Sequence, residues 1–250
     1  MGLAGLLIVD DAQMARSTLP DTWGVDDLAL VLQDKRFTAA GQIDYTLSAS
    51  DRTNGYTGDV LLVNGALAPV WRAPSQWVRF RLLNGCNARA LVLRLGNSLP
   101  LLQVANEAGL LAVPVARPSV ALGPGERAEV LVDFSAMPAG QEVPLYASTA
   151  QGGMGMGDAA AATEVEAMRI RVSLPKQSNS ISSPPNTLPV RARSSRYLRR
   201  RGYADGAGRG ANGRGRLGDA LHVSLPHPRA RGRRHDGPVH HAVVEVSPRG

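Results

Sequence analysis
The chain has 250 residues, enough for one sizeable domain or two small ones, and its net charge of +7 is unevenly spread. Residues 1–190 carry 14 Lys+Arg against 17 Asp+Glu, whereas residues 191–250 carry 14 Arg, no Lys and 4 acids, so a body at −3 precedes a tail at +10. The single cysteine, Cys86, excludes an internal disulfide and a thiolate zinc cluster, and the first 221 residues hold no imidazole, because all five histidines (His222, His227, His235, His240 and His241) fall in the last thirty.

The first apolar run, Leu3–Val9, is far too short to span a bilayer. It is also a poor signal peptide, since no basic residue precedes it and Asp10 and Asp11 follow at once. Beyond it the body reads as β structure. Leu28–Leu32 and Val60–Val63 are short apolar runs, the second closed by the turn signal Asn64-Gly65. Trp77–Leu82 alternates, with Val78, Phe80 and Leu82 on one face and Arg79 and Arg81 on the other, the pattern of a half-buried strand. Asn84-Gly85 ends it. Leu91–Leu95, Leu101–Ala105 and Ala128–Phe134 follow, punctuated by Gly96-Asn97 and Gly123-Pro124-Gly125. Many short strands at this spacing predict an antiparallel sandwich. Gln151–Gly157 (QGGMGMG) reads as a flexible loop. Ala159–Ala167 fits a short helix, and Glu164-Val165-Glu166 fits a strand start equally well. Arg169–Leu174 reads as a last strand, and the Ser, Pro and Asn content of Pro175–Pro189 as a linker. From residue 191 the chain is dominated by Arg and Gly and lacks the apolar mass to fold alone.

Few residues invite a chemical role. Cys86 sits in an Asn-Gly-Cys-Asn turn with no histidine near it in sequence, and is read as a buried or half-buried structural thiol. Asp26-Asp27 and Asp10-Asp11 are paired carboxylates without an identifiable partner base, and are read as strand ends and turn caps. Met154 and Met156 are soft thioethers that could meet Cu(I), and are the only candidate metal ligands in the body; no catalytic or cofactor-binding residue is assigned. His240-His241 and His222 with His227 could take up adventitious metal, but a disordered tail supplies no fixed geometry. Ser195–Arg201 (SRYLRRR) and the following Arg-Gly stretch resemble a nucleic-acid-binding tail acting through charge alone.

Several blocks in order carry a family resemblance: Met1–Asp11, Leu19-Pro20, Trp23–Asp27, Val31–Phe37, Gly41–Tyr45, Gly58–Gly65, Arg81–Arg89 and Gly125–Val132. Together they resemble the end of the first domain and the middle cupredoxin domain of bacterial multicopper oxidases of the copper-efflux and spore-coat-like kinds, over roughly residues 1–175. Asn106–Leu110 departs from the family, which usually has an Asp-Gly-Gly-Leu run there. The resemblance implies copper as cofactor, oxidation of Cu(I) or phenolic substrates with dioxygen reduced to water, and export to the periplasm. It also implies that the copper ligands belong to the first and third domains, the middle domain acting as spacer and interface. A type 1 copper needs two His and one Cys with a weak axial Met, and the trinuclear cluster needs paired His-X-His motifs.

The tail admits a further reading. Back-translated from His222 and read one base later, with permitted codons, it yields M-Y-H-C-H-I-L-E-H-E-D-D-G-M-M, which resembles the family's C-terminal copper motif. The expectation is a frameshift, with a deletion, after about residue 190. The nucleotide sequence decides it: the idea fails unless the second frame over codons 222–241 encodes H-C-H followed by E-H-E-D.

The expectations are therefore these. Residues 1–18 are an orphan strand and linker from a missing first cupredoxin domain. Residues 19–175 form an all-β, cupredoxin-like, Greek-key sandwich, 176–190 a linker, and 191–250 a disordered basic tail. By function the chain is a fragment of a multicopper oxidase, inactive by itself and binding no copper. Two alternatives are a non-enzymatic scaffold of the same fold, as in cell-division-type proteins that work through protein contacts, and nucleic-acid binding through the tail. Its partners are the missing domains, with no membrane. The location stays open, because the resemblance implies the periplasm and no export signal is visible.

Overall fold
The computed structural model describes residues 3–8, 18–107, 109–149, 163–178 and 180–189. Among these residues the alternating runs become strands: β1 (Asp27–Phe37), β2 (Ile43–Asp44), β3 (Val60–Val63), β4 (Ala66–Leu67), β5 (Val70–Pro74), β6 (Trp77–Asn84), β7 (Leu91–Leu95), β8 (Leu101–Asn106), β9 (Gly109–Arg117), β10 (Val120–Leu122), β11 (Arg127–Asp133), β12 (Glu142–Thr149) and β13 (Thr163–Leu174). A short helix, α1 (Ala49–Asn54), interrupts them; Ser48 and Asp51 cap its start reciprocally. No helix among the described residues is long and apolar enough to cross a membrane.

The strands form two packed sheets. The larger runs β4-β3-β1-β6-β11-β8-β9, with β2 pairing the far end of β1; the smaller runs β10-β7-β12-β13-β5. This is the cupredoxin-like sandwich that the sequence predicts. Its sheets are mixed, because β1 runs parallel to β6 and β13 parallel to β5. Of the stretch read as helix or strand start, residues 163–167 are strand, since β13 begins at Thr163, while residues 159–162 lie outside the described residues. Ala167 is the extra residue of a bulge, since Leu145 pairs with Met168 and Tyr146 with Glu166. That bulge is why the consecutive residues Ala167 and Met168 are both buried.

The inner faces supply one core. Leu28, Leu30 and Leu32 of β1, Val78, Phe80 and Leu82 of β6, and Val130 and Val132 of β11 meet Leu91, Leu93 and Leu95 of β7, Val143 and Leu145 of β12, and Ile170 and Val172 of β13. Phe80 stands edge-on to both Trp71 and Phe134, with centroids at 5.7 and 6.5 Å.

Two local geometries fix the sheet edge at β3. Asn64 and Gly65 both have positive φ (51° and 80°), as a two-residue hairpin of this twist requires. The Asn64 side chain also ties the hairpin to β1, accepting from the Val31 N–H at 2.8 Å and donating to the Ala29 carbonyl at 2.9 Å. At Gly58 the backbone of β1 passes so close that a Cβ would lie 2.2 Å from the Lys35 nitrogen.

Leu3–Ile8 carry no strand pairing, although Ala4 lies against Gly85 and Gln33. Residues 176–178 and 180–189, read from composition as a linker, have no regular secondary structure yet are pinned to the body. Leu188 is buried and its N–H donates to the Ala112 carbonyl, while the Gln177 N–H donates to Gln76 Oε1 at 2.7 Å. The Gln151–Gly157 loop with Met154 and Met156, the pair Asp10-Asp11, the five histidines and the tail expected to be disordered all lie outside the described residues.

Candidate interaction surface
The donor set of the described residues does not fit a copper centre. They contain no imidazole, and no group of three His, Cys, Asp or Glu side chains among them could hold a metal ion. Cys86 is buried with Sγ 3.9 Å from the Leu32 carbonyl. Burial pushes its thiol up to about 12, helped by the nearby Asp34 carboxylate, so the thiolate that copper or catalysis would need is suppressed. Asp34 is committed elsewhere: its Oδ2 accepts from the Gly58 N–H at 2.7 Å and from Arg89 Nε at 3.0 Å, locking the β1–β3 connection.

The two outer faces differ sharply. On the smaller sheet, exposed and half-exposed side chains of opposite sign interleave across three strands. Arg94 of β7 meets Glu164 of β13 (2.7 Å), Arg169 meets Glu166 (2.8 Å) and Glu142 (3.0 Å), and Arg171 meets Glu142 (2.8 Å). Arg94 also lies over the Tyr146 ring, 4.5 Å from its centroid. Such a lattice is well solvated and offers no apolar anchor to a partner.

The outer face of the larger sheet is covered. The alternation in β6 predicts that Arg79 and Arg81 face solvent, and both are instead largely or wholly buried. Arg79 donates to Glu129 of β11 through Nε at 2.9 Å and through a second, shorter contact; Arg81 donates to Asp27 of β1 at 2.8 and 2.6 Å. The two pairs are cross-linked, Arg79 lying 3.8 Å from Asp27 and Arg81 3.7 Å from Glu129. Period-two patterning reports which residues share a face. It does not report what else lies on that face, and here the chain's own flanks lie on it.

Those flanks build a second, smaller core on the same face. Leu19 from the incoming segment and Leu188 from the outgoing one pack with Val104 of β8 and Leu131 of β11, flanked by Trp77, Leu102 and Leu110. A hydrogen-bonded clamp holds both flanks at one corner. The Asp26 carboxylate accepts from the Thr22 N–H (2.8 Å) and from Gln76 Nε2 (2.8 Å), and Gln76 Oε1 accepts from the Gln177 N–H (2.7 Å). Burial pushes the Asp26 carboxyl above its ordinary value, partly offset by the Thr22 hydrogen bond. Asp26 thus caps the turn that it closes, as expected of it, and Asp27 belongs to the ion network. The sequence reading missed Gln76, Leu19 and Leu188 as organising residues; an isolated leucine in a Ser/Pro/Asn-rich stretch was the only available signal.

No protein-family model matches the chain. Over 151 residues it is 44% identical to the cell division protein FtsP of Yersinia pestis, a match covering 60% of the chain and 31% of that relative. FtsP of Dickeya dadantii is 46% identical over 134 residues, covering 54% and 28%. Among solved structures, the 2F4 variant of the McoA multicopper oxidase from Aquifex aeolicus superposes with a TM-score of 0.62 at 33% identity, covering 72% of this chain and 38% of that one. The laccase-like multicopper oxidase CueO from Ochrobactrum sp. gives 0.56 at 34%, covering 70% and 38%. The chain spans about a third of the length of these relatives. Its described body is a cupredoxin-fold domain of the multicopper-oxidase-like kind.

Proposed function
We propose that the chain is a non-catalytic cupredoxin-fold domain that works through protein contacts, in a cell-division role like that named for its FtsP relatives. The observation that carries this reading is the mismatch between fold and donors: an oxidase-like scaffold whose described body has no imidazole and only one thiol, buried and suppressed. The 44% identity to a cell division protein supports the same reading. So does the location of the second core, where apolar side chains gather on a sheet face that ion pairs would otherwise solvate. A periplasmic location belongs to the proposal through the resemblance, as do contacts with further cupredoxin domains of a longer protein. The test is the position of a periplasm-directed fluorescent fusion in dividing bacteria. Enrichment at mid-cell is expected, and a uniform peripheral signal at all stages of division overturns the reading.

A second reading is favoured by the structural neighbours, which are copper oxidases. In it the chain is part of a multicopper oxidase whose copper ligands lie on other domains. Restored turnover of a phenolic substrate, when separately produced first and third domains and copper are added, would select it.

A further inference from the structure
We propose that residues 180–189 are a displaceable strap over an apolar seat, and that the seat accepts an extended segment of a protein partner with an aliphatic side chain in place of Leu188. The partner half of this inference rests on the protein-contact reading above; the strap half does not.

The seat is the second core. Val104 and Leu131 are fully buried, with Trp77, Leu102 and Leu110 around them, and the outgoing segment adds one side chain to it, Leu188. The strap's hold is slight compared with the ladders beneath. Among the described residues its one backbone hydrogen bond to the body runs from the Leu188 N–H to the Ala112 carbonyl at 3.1 Å. Ser182, Ser183, Asn186, Thr187 and Pro189 are exposed, Ser180, Ile181, Pro184 and Pro185 are half-buried, and Pro184, Pro185 and Pro189 have no N–H to contribute. The root of the strap is firmer, because Gln177 is held by the Asp26–Gln76 clamp. A segment fixed at its root, and held beyond it by Leu188, one backbone hydrogen bond and the partial burial of Ser180, Ile181, Pro184 and Pro185 without any ladder, opens at a lower cost than the strands beneath it.

The acceptor is equally specific. Ala112 lies where β9 leaves its ladder: β8 pairs Gln103 with Val115 and Ala105 with Leu110, so residues 111–114 bulge out against Val104 alone. The Ala112 carbonyl at this bulged edge is the one the strap uses. An incoming segment that supplies a backbone N–H there and an aliphatic side chain beside it reproduces both strap contacts, which is recognition by sheet edge and pocket together.

Two measurements on the full chain test this. In amide hydrogen exchange, the Leu188 N–H should exchange at least about tenfold faster than those of Phe80 and Val130 at the centre of the sheet. Exchange of Leu188 at the rate of those strands would make the segment an integral part of the fold and overturn the strap. For the seat, Leu188→Asp lifts the strap, and a fluorescent peptide of this chain's residues 180–189 is added in trans. Saturable binding to the Leu188→Asp chain is expected, at least about tenfold weaker to the unaltered chain and to any chain when the peptide itself carries the Leu188→Asp change. Failure of the peptide to bind the Leu188→Asp chain, with its β-sheet signal intact, overturns the seat. Should that variant fail to fold, Leu188→Ala carries the same comparison. Neither arm depends on mid-cell placement, so the strap and the cell-division reading fail separately.

Discussion

Arg79 on β6 and Glu129 on β11 are joined across the sheet by two hydrogen bonds, one of 2.9 Å from Nε, with the Arg79 side chain only 2% exposed. An arginine so placed is tolerable only because Glu129, with Asp27 at 3.8 Å, offsets the loss of its hydration. Arg79→Met should therefore destabilise the domain by roughly 3 kcal/mol, at the low end for a broken buried pair because Glu129 is partly solvated. Arg79→Met combined with Glu129→Leu should recover most of that loss. Urea denaturation of the two variants checks the sign of the coupling.

Two glycines with different reasons for being glycine give a second contrast. Gly58→Ala places a methyl 2.2 Å from the Lys35 nitrogen and 2.5 Å from its carbonyl carbon, and that backbone cannot retreat. A loss of about 3 kcal/mol or more is expected. Gly65→Ala meets nothing within 4 Å but must hold φ near 80°, so its loss should be about 1 kcal/mol. Thermal melts that rank Gly65→Ala as the worse variant would contradict the close approach at β1.

Acid stability should show two opposite carboxylate effects. Arg36 at 2.6 Å and the Ser48 cap hold the Asp51 carboxyl down to about 2 from its ordinary 3.8. Its contribution is thus present above the ordinary value and is lost as pH falls toward 2. Asp26 has the reverse sign. Burial raises its pKa, so its ionised form costs stability, and that cost disappears as pH falls through the raised value. Melting temperatures between pH 7 and 2 should therefore decline most steeply at the acid end, and Asp51→Asn should flatten that final decline specifically.

Cys86 should be silent. A thiol pushed from 9.0 to about 12 has about a thousandfold less thiolate at a given pH than an ordinary one. A thiol reagent at pH 8 should leave the native chain untouched and titrate one equivalent in denaturant. With added Cu(II), residues 1–190 should show no strong blue absorption band, and a band of that kind at one copper per chain would defeat the reading of the body as lacking a type 1 site.

How much of this was legible beforehand follows from what each pattern encodes. The alternation in Trp77–Leu82 and the Asn64-Gly65 signal matched β6 and the turn that ends β3, because strand period and positive φ are local properties. Val60–Val63 and Leu91–Leu95 coincide with β3 and β7 for the same reason. The strand β9 was not anticipated: it lies at a sheet edge, contains Pro114 and alternates poorly. The burial of Arg79 and Arg81 was misread for a non-local reason, since the carboxylates that pair with them, Asp27 and Glu129, come from strands about fifty residues away in sequence. Leu188 was invisible in a stretch whose composition speaks for a linker. The structural placement of Cys86 was readable as buried or half-buried, because a cysteine in an Asn-Gly turn without histidine neighbours has little else to do.

The parallel pairing of β5 with β13 sets a schedule for assembly. Val70 meets Arg169 and Ala73 meets Val172, so among the described residues β5, made early, has its only ladder partner in a strand made about a hundred residues later. During synthesis the N-terminal half must emerge with an apolar strand waiting for its neighbour, and the smaller sheet cannot close until residue 174 has cleared the ribosome. Closure of one of the two layers is therefore a late event in the making of this domain. A chaperone that shields Val70–Pro74 in that interval would guard an open strand edge that no strengthening of the finished core protects.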